Sequence, residues 1–471
     1  MSNIEKGIYS DNNLYWTHNL LELAQNLPPT DFITDYITVD DDDEERPAII
    51  REPAPDETHY TFIGGHYLPL SKSEGHTLLV GMTNSGKSML TYPAIAHALA
   101  TLRPGFGLVV LFDTKGDMFP LADYFADKQG VPLHYFNITD QRSLAWDIAA
   151  DCDGRLDILQ ELIEILIPLG DAKDPFWIQG AQSVALAAAL SLQRTRGNNW
   201  GLHDLYNACF ADENRLAEFL KLNPANQPVI DRIVNSEAGK TTSGIMMQLS
   251  VTLQKLRLAA ANQFHTPKEH WVSIKEIVQH GGIVVIGQKQ TSRGSTQSIM
   301  RAMFKRLADE ILDLKDYVHF PSFIFVDEFA YLGRNLPGIL DLLTFSRSKR
   351  CQLYLTCQNI DQLYANYGQY DAETLVSNCA FKVILRTGSP NTSEWASRLA
   401  GREKRDSLSM NYSGNSFSEG LSTPDQPRIP ADEFSNLPLA SPETGINYVF
   451  SSPYTGVYKK HLEASEVADL H

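Results

Sequence analysis

Cysteine is scarce in this chain. Its five cysteines, Cys152, Cys209, Cys351, Cys357 and Cys379, are scattered, and none forms the C-x-x-C pair of a zinc ribbon or a dithiol redox centre. Reduced thiols inside a core are therefore expected, as in a cytosolic protein. Long apolar runs are missing as well. The longest alanine-leucine stretch, Val184 to Leu192, falls far short of the ~20 residues that cross a bilayer. The opening residues, Met-Ser-Asn-Ile-Glu-Lys-Gly-Ile-Tyr, lack the basic start and apolar stretch of a secretory signal. The chain as given is expected to be soluble. Positive charge is in deficit, since 40 Lys and Arg face 57 Asp and Glu for a formal charge of −17. A passive nucleic-acid coat is excluded, because such a body repels a polyanion except where basic groups gather locally. There is no internal repeat and no N-K-x-D guanine motif.

What is present is an ordinary globular composition, 43% hydrophobic and 21% charged over 471 residues, enough for two or three domains. The chain is organised around residues 77–88, an apolar strand running into Gly81-Met82-Thr83-Asn84-Ser85-Gly86-Lys87-Ser88. This is the G-x-x-x-x-G-K-[ST] spacing, whose glycines let successive amides point at phosphate oxygens. Lys87 would meet the β and γ phosphates and Ser88 a Mg²⁺ ion. The next stretch, Met89 to Leu102, has helical spacing and would aim its positive end at the same phosphates.

Residues 1–59 read as an extension: an amphipathic stretch, Leu14 to Leu27, then Pro28-Pro29, then six consecutive acids from Asp40 to Glu45. From Tyr60 short apolar strands alternate with helices, the signature of a parallel sheet. Residues 60–150 read as the first part of a nucleotide-binding domain. One of its strands, Gly107 to Asp113, ends in an acid, where ligands of open α/β sheets gather. Residues 151–268 carry only helical periodicity and read as an inserted all-α domain. Strands resume at Gly282 to Gly287 and continue through Ser322 to Asp327, Gln352 to Cys357, Cys379 to Leu385, Ile446 to Phe450 and Val457 to Lys459. Residues 269–471 thus complete the α/β body, with a Ser/Asn/Gly-rich mobile loop expected at 402–423.

The apolar run Ser322-Phe-Ile-Phe-Val ends in Asp327-Glu328, the form of the strand that holds the second Mg²⁺ contact in P-loop ATPases. Asp327 would reach the metal through water and Glu328 would polarise the attacking water, although an Asp-Glu pair after a strand is also an ordinary helix cap. Gln358 follows the strand Gln352 to Cys357 and could sense the γ phosphate. Ser346-Arg347-Ser348-Lys349-Arg350 closes a helix with three cations. They suit the helix dipole, or one Arg could reach a neighbouring subunit's ATP.

Together these pieces resemble the coupling ATPases of conjugation and type IV secretion, the TraD and TraG group related to the FtsK and HerA DNA motors. The resemblance covers most of residues 60–465. It rests on Gly81 to Ser88, Asp113-Thr-Lys-Gly-Asp117, Asp327-Glu-Phe-Ala-Tyr-Leu-Gly333, Ser346 to Gln358, and Pro430-Ala-Asp-Glu-Phe-Ser-Asn-Leu-Pro438. It implies a RecA-like P-loop α/β domain with a parallel-rich sheet and an inserted all-α domain, using ATP and Mg²⁺. It also implies a homo-hexameric ring around single- or double-stranded DNA, or a monomer until assembled, delivering DNA with its relaxase or a protein cargo to a type IV secretion membrane platform. By position, Lys87 and Ser88 bind phosphate and metal, Asp327 and Glu328 form the metal and water site, Gln358 is the sensor and Arg347 the trans finger, with Arg350 and Arg386 as competitors. The Asp113 block carries no assigned step. Most members begin with transmembrane helices and this chain has none. That suits a cytoplasmic motor, peripheral at the inner membrane, a chain whose anchor was removed, or a relative turned to defence against foreign DNA. Lys289, Arg293, Arg301, Lys305 and Lys240 are candidate pore cations. A nucleotide-switched receptor for secretion cargo is the rival reading.

Overall fold

The computed structural model describes residues 60–463 apart from 70–74, 171–173, 235–238, 289–292, 317–319, 405–406, 414–415, 423, 442 and 444. The N-terminal extension with its acidic run, and Lys289, lie outside the described residues. The chain divides into two compact units. The first takes residues up to Thr101, then Glu328–Ala330, then Gln352 onward; the second takes Leu102–Asp327 and Tyr331–Cys351.

In the first unit the strand before the phosphate loop, Thr77–Val80, is buried along its whole length. It pairs in parallel with Cys351–Cys357 on one side and Phe381–Ile384 on the other. Phe381–Ile384 then pairs antiparallel with Ile446–Ser452, which pairs antiparallel with Gly456–Leu462. Near-continuous Leu and Val in Thr77–Val80 is what burial on both faces demands. A short hairpin, Tyr60–Ile63 with His66–Pro69, is tied down by Tyr448 Oη, which donates to the Gly64 carbonyl at 2.7 Å.

The second unit has its own parallel strands. Leu108–Asp113 lies between Ser322–Val326 and Gly282–Gly287, and Leu133–Phe136 lies outside the latter. Its large helical region runs from Ile148–Cys152 to Arg257–His265. Leu156–Leu166 buries Ile158, Leu159, Leu162, Ile163, Ile165 and Leu166, each contributing about 1.5–3 kcal/mol in a water-to-core transfer. The 21-residue helix Phe176–Arg196 packs on Gly239–Leu253. A Cβ on Gly180 would come within 2.7 Å of Ile245, and one on Gly244 within 2.5 Å of Trp177, so these two glycines set the approach. Ala145–Trp146 and Trp271–Val272 pair in parallel and bring the two ends of the helical region together. The buried Asp151 carboxylate reinforces this closure by accepting from Trp146 Nε1 at 2.5 Å and from the Ile274 and Lys275 amides at 3.1 and 3.0 Å.

Two local readings differ from the structure. Within residues 151–268, read as helical throughout, Ile230–Val234 form a π turn. The 402–423 segment, read as an aperiodic loop, carries a hairpin of Ser407–Ser413 with Ser416–Ser422, and Arg402–Lys404 pairs with Asp425–Pro427. The hairpin register sets Leu408 opposite Leu421 and Tyr412 opposite Phe417. Leu408, Met410 and Tyr412 do alternate with polar residues. Abundant Ser, Asn and Gly hid a period of two.

Candidate nucleotide site

In the first unit the phosphate loop is fixed by the strand ends beside it. Gly81 donates its amide to the Cys357 carbonyl at 3.1 Å, Met82 to Arg386 at 2.9 Å, and Ser85 back to Met82 at 3.2 Å. Gly86 precedes the helix Lys87–Ala100 with φ 100°, in the left-handed region where a side chain is strained, and Asn84 shares that region at φ 61°. A Cβ on Gly81 would meet Ser85 Oγ at 2.5 Å and Leu385 Cβ at 2.7 Å, and one on Gly86 would meet Ala440 Cβ at 2.8 Å. The loop is thus a cradle that only glycine closes. Within it Lys87 Nζ donates to the Gly81 carbonyl at 2.5 Å and the Met82 carbonyl at 3.1 Å. Ser85 Oγ is buried and has no hydrogen-bond partner among the described residues. A glycine-closed loop, a lysine turned into it and a helix N-terminus behind it fit a phosphate chain.

Glu328 and Gln358 belong to the same unit. Glu328 sits at φ 52°, a conformation that costs a non-glycine residue about 1–3 kcal/mol and recurs at functional sites. Its amide donates to Thr356 Oγ1 at 2.8 Å, and its Oε2 accepts from Gln358 Nε2 at 3.4 Å. The Gln358 amide donates to Gln362 Oε1 at 3.3 Å. Burial and the Glu328 charge push the thiol of adjacent Cys357 well up, so it is an inert neighbour. Thr356 had no role in the sequence reading. A threonine in a strand reads as β propensity, and only the backbone path of Glu328 gives its hydroxyl a task.

Asp327 belongs to the second unit and is 6% exposed. Its carbonyl accepts from Thr114 Oγ1 at 3.1 Å, and its carboxylate Oδ2 stands 2.9 Å from Lys115 Nζ. Thr114 and Lys115 are held by Asp113, whose Oδ1 accepts the amides of Lys115, Gly116 and Asp117 and whose Oδ2 accepts that of Met118. Burial and neighbouring Asp117 push the Asp113 carboxyl up to about 7, against the pull of the amide hydrogen bonds. The Asp113 to Asp117 block, legible in sequence but without a step, is therefore the mount of Asp327. No group of three or more His, Cys, Asp or Glu able to hold a metal exists among the described residues, so a metal here would need ligands from elsewhere, as Mg²⁺ on a nucleotide has.

The family described as the type IV secretion-system coupling protein DNA-binding domain matches residues 61–437. The chain belongs to this family. Coupling protein TraD of Escherichia coli (strain K12) is 23% identical over 352 residues, 73% of this chain and 46% of TraD. The chain thus spans less than half the length of that relative. Bacterial conjugative coupling protein TrwBdeltaN70, in an unbound monoclinic form, superposes with a TM-score of 0.68 at 20% identity, covering 88% of this chain and 90% of that one. Plasmid coupling protein TrwB in complex with ADP and Mg²⁺ gives 0.68 at 19% identity over the same shares, 88% and 90%. VirB4 of Thermoanaerobacter pseudethanolicus gives 0.51 at 13% identity, covering 92% and 96%. This coupling-protein chain therefore has the TrwB fold, an α/β body with a large all-helical region. No helix of the described residues is long and apolar enough to cross a membrane.

Three arginines compete for one role in this coupling-family chain. Arg347 is exposed on the 3₁₀ turn Ser346–Lys349 of the second unit. Arg350 ends that turn at φ 55°, half-buried, with its carbonyl accepting the Ser322 amide at 3.0 Å. Arg386 lies in the first unit, holding Met82 with its carbonyl and donating Nη1 to the Leu437 carbonyl at 3.4 Å. The tail block 430–438 is thus a brace for the strand end beside the phosphate loop. The Phe434 carbonyl accepts the Thr387 amide at 3.1 Å in the same brace.

Two of the five candidate pore cations, Arg301 and Lys305, are committed elsewhere. Arg301 donates to the carbonyls of Leu332 at 2.9 Å and Asn335 at 3.0 Å. Lys305 pairs with Glu161 at 3.0 Å and Asp309 at 2.7 Å. Lys240 is exposed in the first turn of Gly239–Leu253. A sequence counts charges and omits their partners.

Proposed function

We propose that this chain is an ATP-hydrolysing coupling ATPase that moves DNA, with its relaxase, or a protein cargo toward a type IV secretion or conjugation channel as a homo-hexameric ring. The observation that carries the catalytic half is Glu328. It is held in a strained left-handed conformation by Thr356 and touches Gln358, in the unit that also carries the glycine-closed phosphate loop.

In this reading Gly81 to Ser88 wrap the phosphates, with amides doing most of the binding. Lys87 exchanges its loop carbonyls for phosphate oxygens. Ser88 and Asp327 are the residues that would hold Mg²⁺, which supplies charge neutralisation when bound. Glu328 takes the proton of the attacking water, and Gln358 orients Glu328 and that water. Arg347, the most exposed of the three arginines, is the finger offered to a neighbouring subunit. Family membership supports DNA as the polymer, and relatives named as coupling proteins support the secretion setting. The test is steady-state ATP hydrolysis across protein concentrations, with and without single- and double-stranded DNA, alongside Glu328→Gln and Arg347→Ala. Cooperative, DNA-stimulated turnover that both substitutions abolish is the expected result. A rate indifferent to DNA and to protein concentration would refute the motor.

A second reading, a nucleotide-switched receptor for secretion cargo, draws support from apolar side chains exposed on the helical region. Met247 is 69% and Phe264 68% exposed, with Val251 and Leu258 near them in sequence. Cargo binding that depends on nucleotide, without DNA-stimulated hydrolysis, is its expected signature.

A further inference from the structure

Glu328–Ala330 enter the first unit as three residues, flanked in sequence by residues of the second. Two of the three are met by one helix. Ile360–Asn378 is broken at Gly368, whose φ of 73° and ψ of 174° are non-helical, so residues 360–367 form a short rod of their own. That rod is anchored at its start. The Asn359 side chain caps it by accepting the Gln362 amide at 3.0 Å, the Ile360 amide donates to Thr392 Oγ1 at 3.1 Å, and the Asp361 carboxylate accepts from Ser389 Oγ and Asn391 Nδ2. Its far end reaches the three residues. Tyr367, 8% exposed, stacks on the fully buried Phe329 with ring centroids 5.6 Å apart and planes 10° from parallel, an attractive aromatic pairing. Asn366 Nδ2 donates to the Ala330 carbonyl at 3.4 Å. Between the two ends, Gln362 Oε1 accepts the Gln358 amide at 3.3 Å. One rod thus holds both the residues that follow Glu328 and the glutamine that approaches its carboxylate.

The backbone of Glu328 stands at φ 52°, where a residue with a side chain relaxes unless its surroundings hold it. Thr356 holds the amide side. On the other side Glu328 is joined to Phe329, and a Phe329 ring stacked on Tyr367 fixes the torsions that aim the Glu328 carboxylate. We infer that Tyr367 is a positioning residue whose ring, packed on Phe329, sets where the Glu328 carboxylate stands, with Asn366 as a weaker second tie. The inference rests on the reading of Glu328 as the group that takes the proton of the attacking water. A carboxylate shifted by this route misses that water. The phosphate loop, fixed by its own bonds to Cys357 and Arg386, still binds ATP.

The experiment compares Tyr367→Leu, Tyr367→Phe, Asn366→Ala and the double variant Tyr367→Leu with Glu328→Gln against the wild type and Glu328→Gln alone. Each full-length chain is read for kcat of ATP hydrolysis, affinity for a fluorescent ATP analogue, and thermal melting. Tyr367→Leu should lose about 10²-fold in kcat, the order of an ångström-scale misplacement, at wild-type affinity for the analogue. Tyr367→Phe keeps the ring and should keep the rate. Asn366→Ala leaves the stack in place, so it should lose less than Tyr367→Leu, and in kcat alone. The double variant shows whether Tyr367 acts through Glu328: it should hydrolyse ATP no more slowly than Glu328→Gln alone. A folded Tyr367→Leu that keeps its kcat, or that loses analogue affinity in step with its rate, would overturn the inference. So would a Tyr367→Phe as slow as Tyr367→Leu, or losses that multiply in the double variant, the mark of a merely structural ring. Should Tyr367→Leu fail to fold, Asn366→Ala carries the test, and a wild-type kcat in it overturns the inference. Failure of the underlying reading looks different: Glu328→Gln would itself hydrolyse ATP at the wild-type rate.

Discussion

Gln358 Nε2 lies 3.4 Å from Glu328 Oε2, and the strand that delivers Gln358 also delivers Thr356 to the Glu328 amide at 2.8 Å. One strand end therefore sets both the backbone and the carboxylate of the proposed base. Glu328→Gln keeps the shape and the amide contact but removes the proton acceptor. It should bind ATP at near wild-type affinity and lose turnover by about 10²–10⁴-fold. Lys87→Ala should instead lose nucleotide affinity. Equilibrium binding and single-turnover hydrolysis, measured on both variants, separate the two; normal hydrolysis by Glu328→Gln would mean the base is another group.

The Thr356 hydroxyl predicts a more unusual phenotype. Thr356→Val is nearly isosteric, yet it leaves the Glu328 amide without its acceptor at a position already strained. A stability loss of about 1–3 kcal/mol in urea unfolding is expected. Turnover should fall with it while nucleotide affinity holds, because the phosphate loop keeps its own contacts. A variant as active and as stable as the wild type would show that Thr356 does not position Glu328.

His66 gives the first unit a defined acid response. Burial, and then the charge of Lys460, lower its imidazole from 6.5 to about 3. Tyr458 Oη stands 2.6 Å from its Nε2, and Lys460 Nζ 3.1 Å from the same nitrogen. The folded state holds the ring neutral while the unfolded chain takes up a proton below 6.5, so the unfolded state binds more protons in between. Stability from this group is complete above pH 6.5 and declines as the pH falls toward 3. His66→Phe should flatten that part of the stability profile, read by chemical unfolding at a series of pH values. An unaltered slope would place the acid response elsewhere.

Arg301 separates a structural cation from a DNA contact. Its guanidinium carries two carbonyls, those of Leu332 and Asn335. Arg301→Ala should cost about 1–3 kcal/mol of stability and leave DNA affinity at fixed salt unchanged once the protein is folded. A large loss of DNA binding without loss of stability would return Arg301 to the pore.

Much of this fold was legible in the sequence because its signals are local. Gly282 to Gly287 and Leu156 to Leu166 fall where apolar runs and helical spacing put them. The phosphate loop was legible because its chemistry needs those residue types in that order. What stayed hidden depends on partners distant in the chain. Thr356 looks like any strand threonine until Glu328 is placed beside it. Asp113 to Asp117 looked functional but mute until Asp327 was seen resting on it. Arg301 and Lys305 looked like free positive charge because a sequence prints no carbonyl and no acid beside them. The 407–422 hairpin was missed for another reason, since its alternation was present but diluted by serine.

The strand pairings also dictate an order of events during synthesis. Thr77–Val80 finds its two neighbours only at residues 354–357 and 381–384, whereas Leu102–Asp327 supplies four parallel strands and all the long helices of the helical region. Emerging from the ribosome N-terminus first, the phosphate loop waits unpaired while the whole intervening unit is made and can collapse on itself. Closing so long a loop is slow, so the nucleotide-binding half is the last part of this protein to become native. A growing chain halted before residue 354 would carry a folded helical region and a phosphate loop with no place to sit.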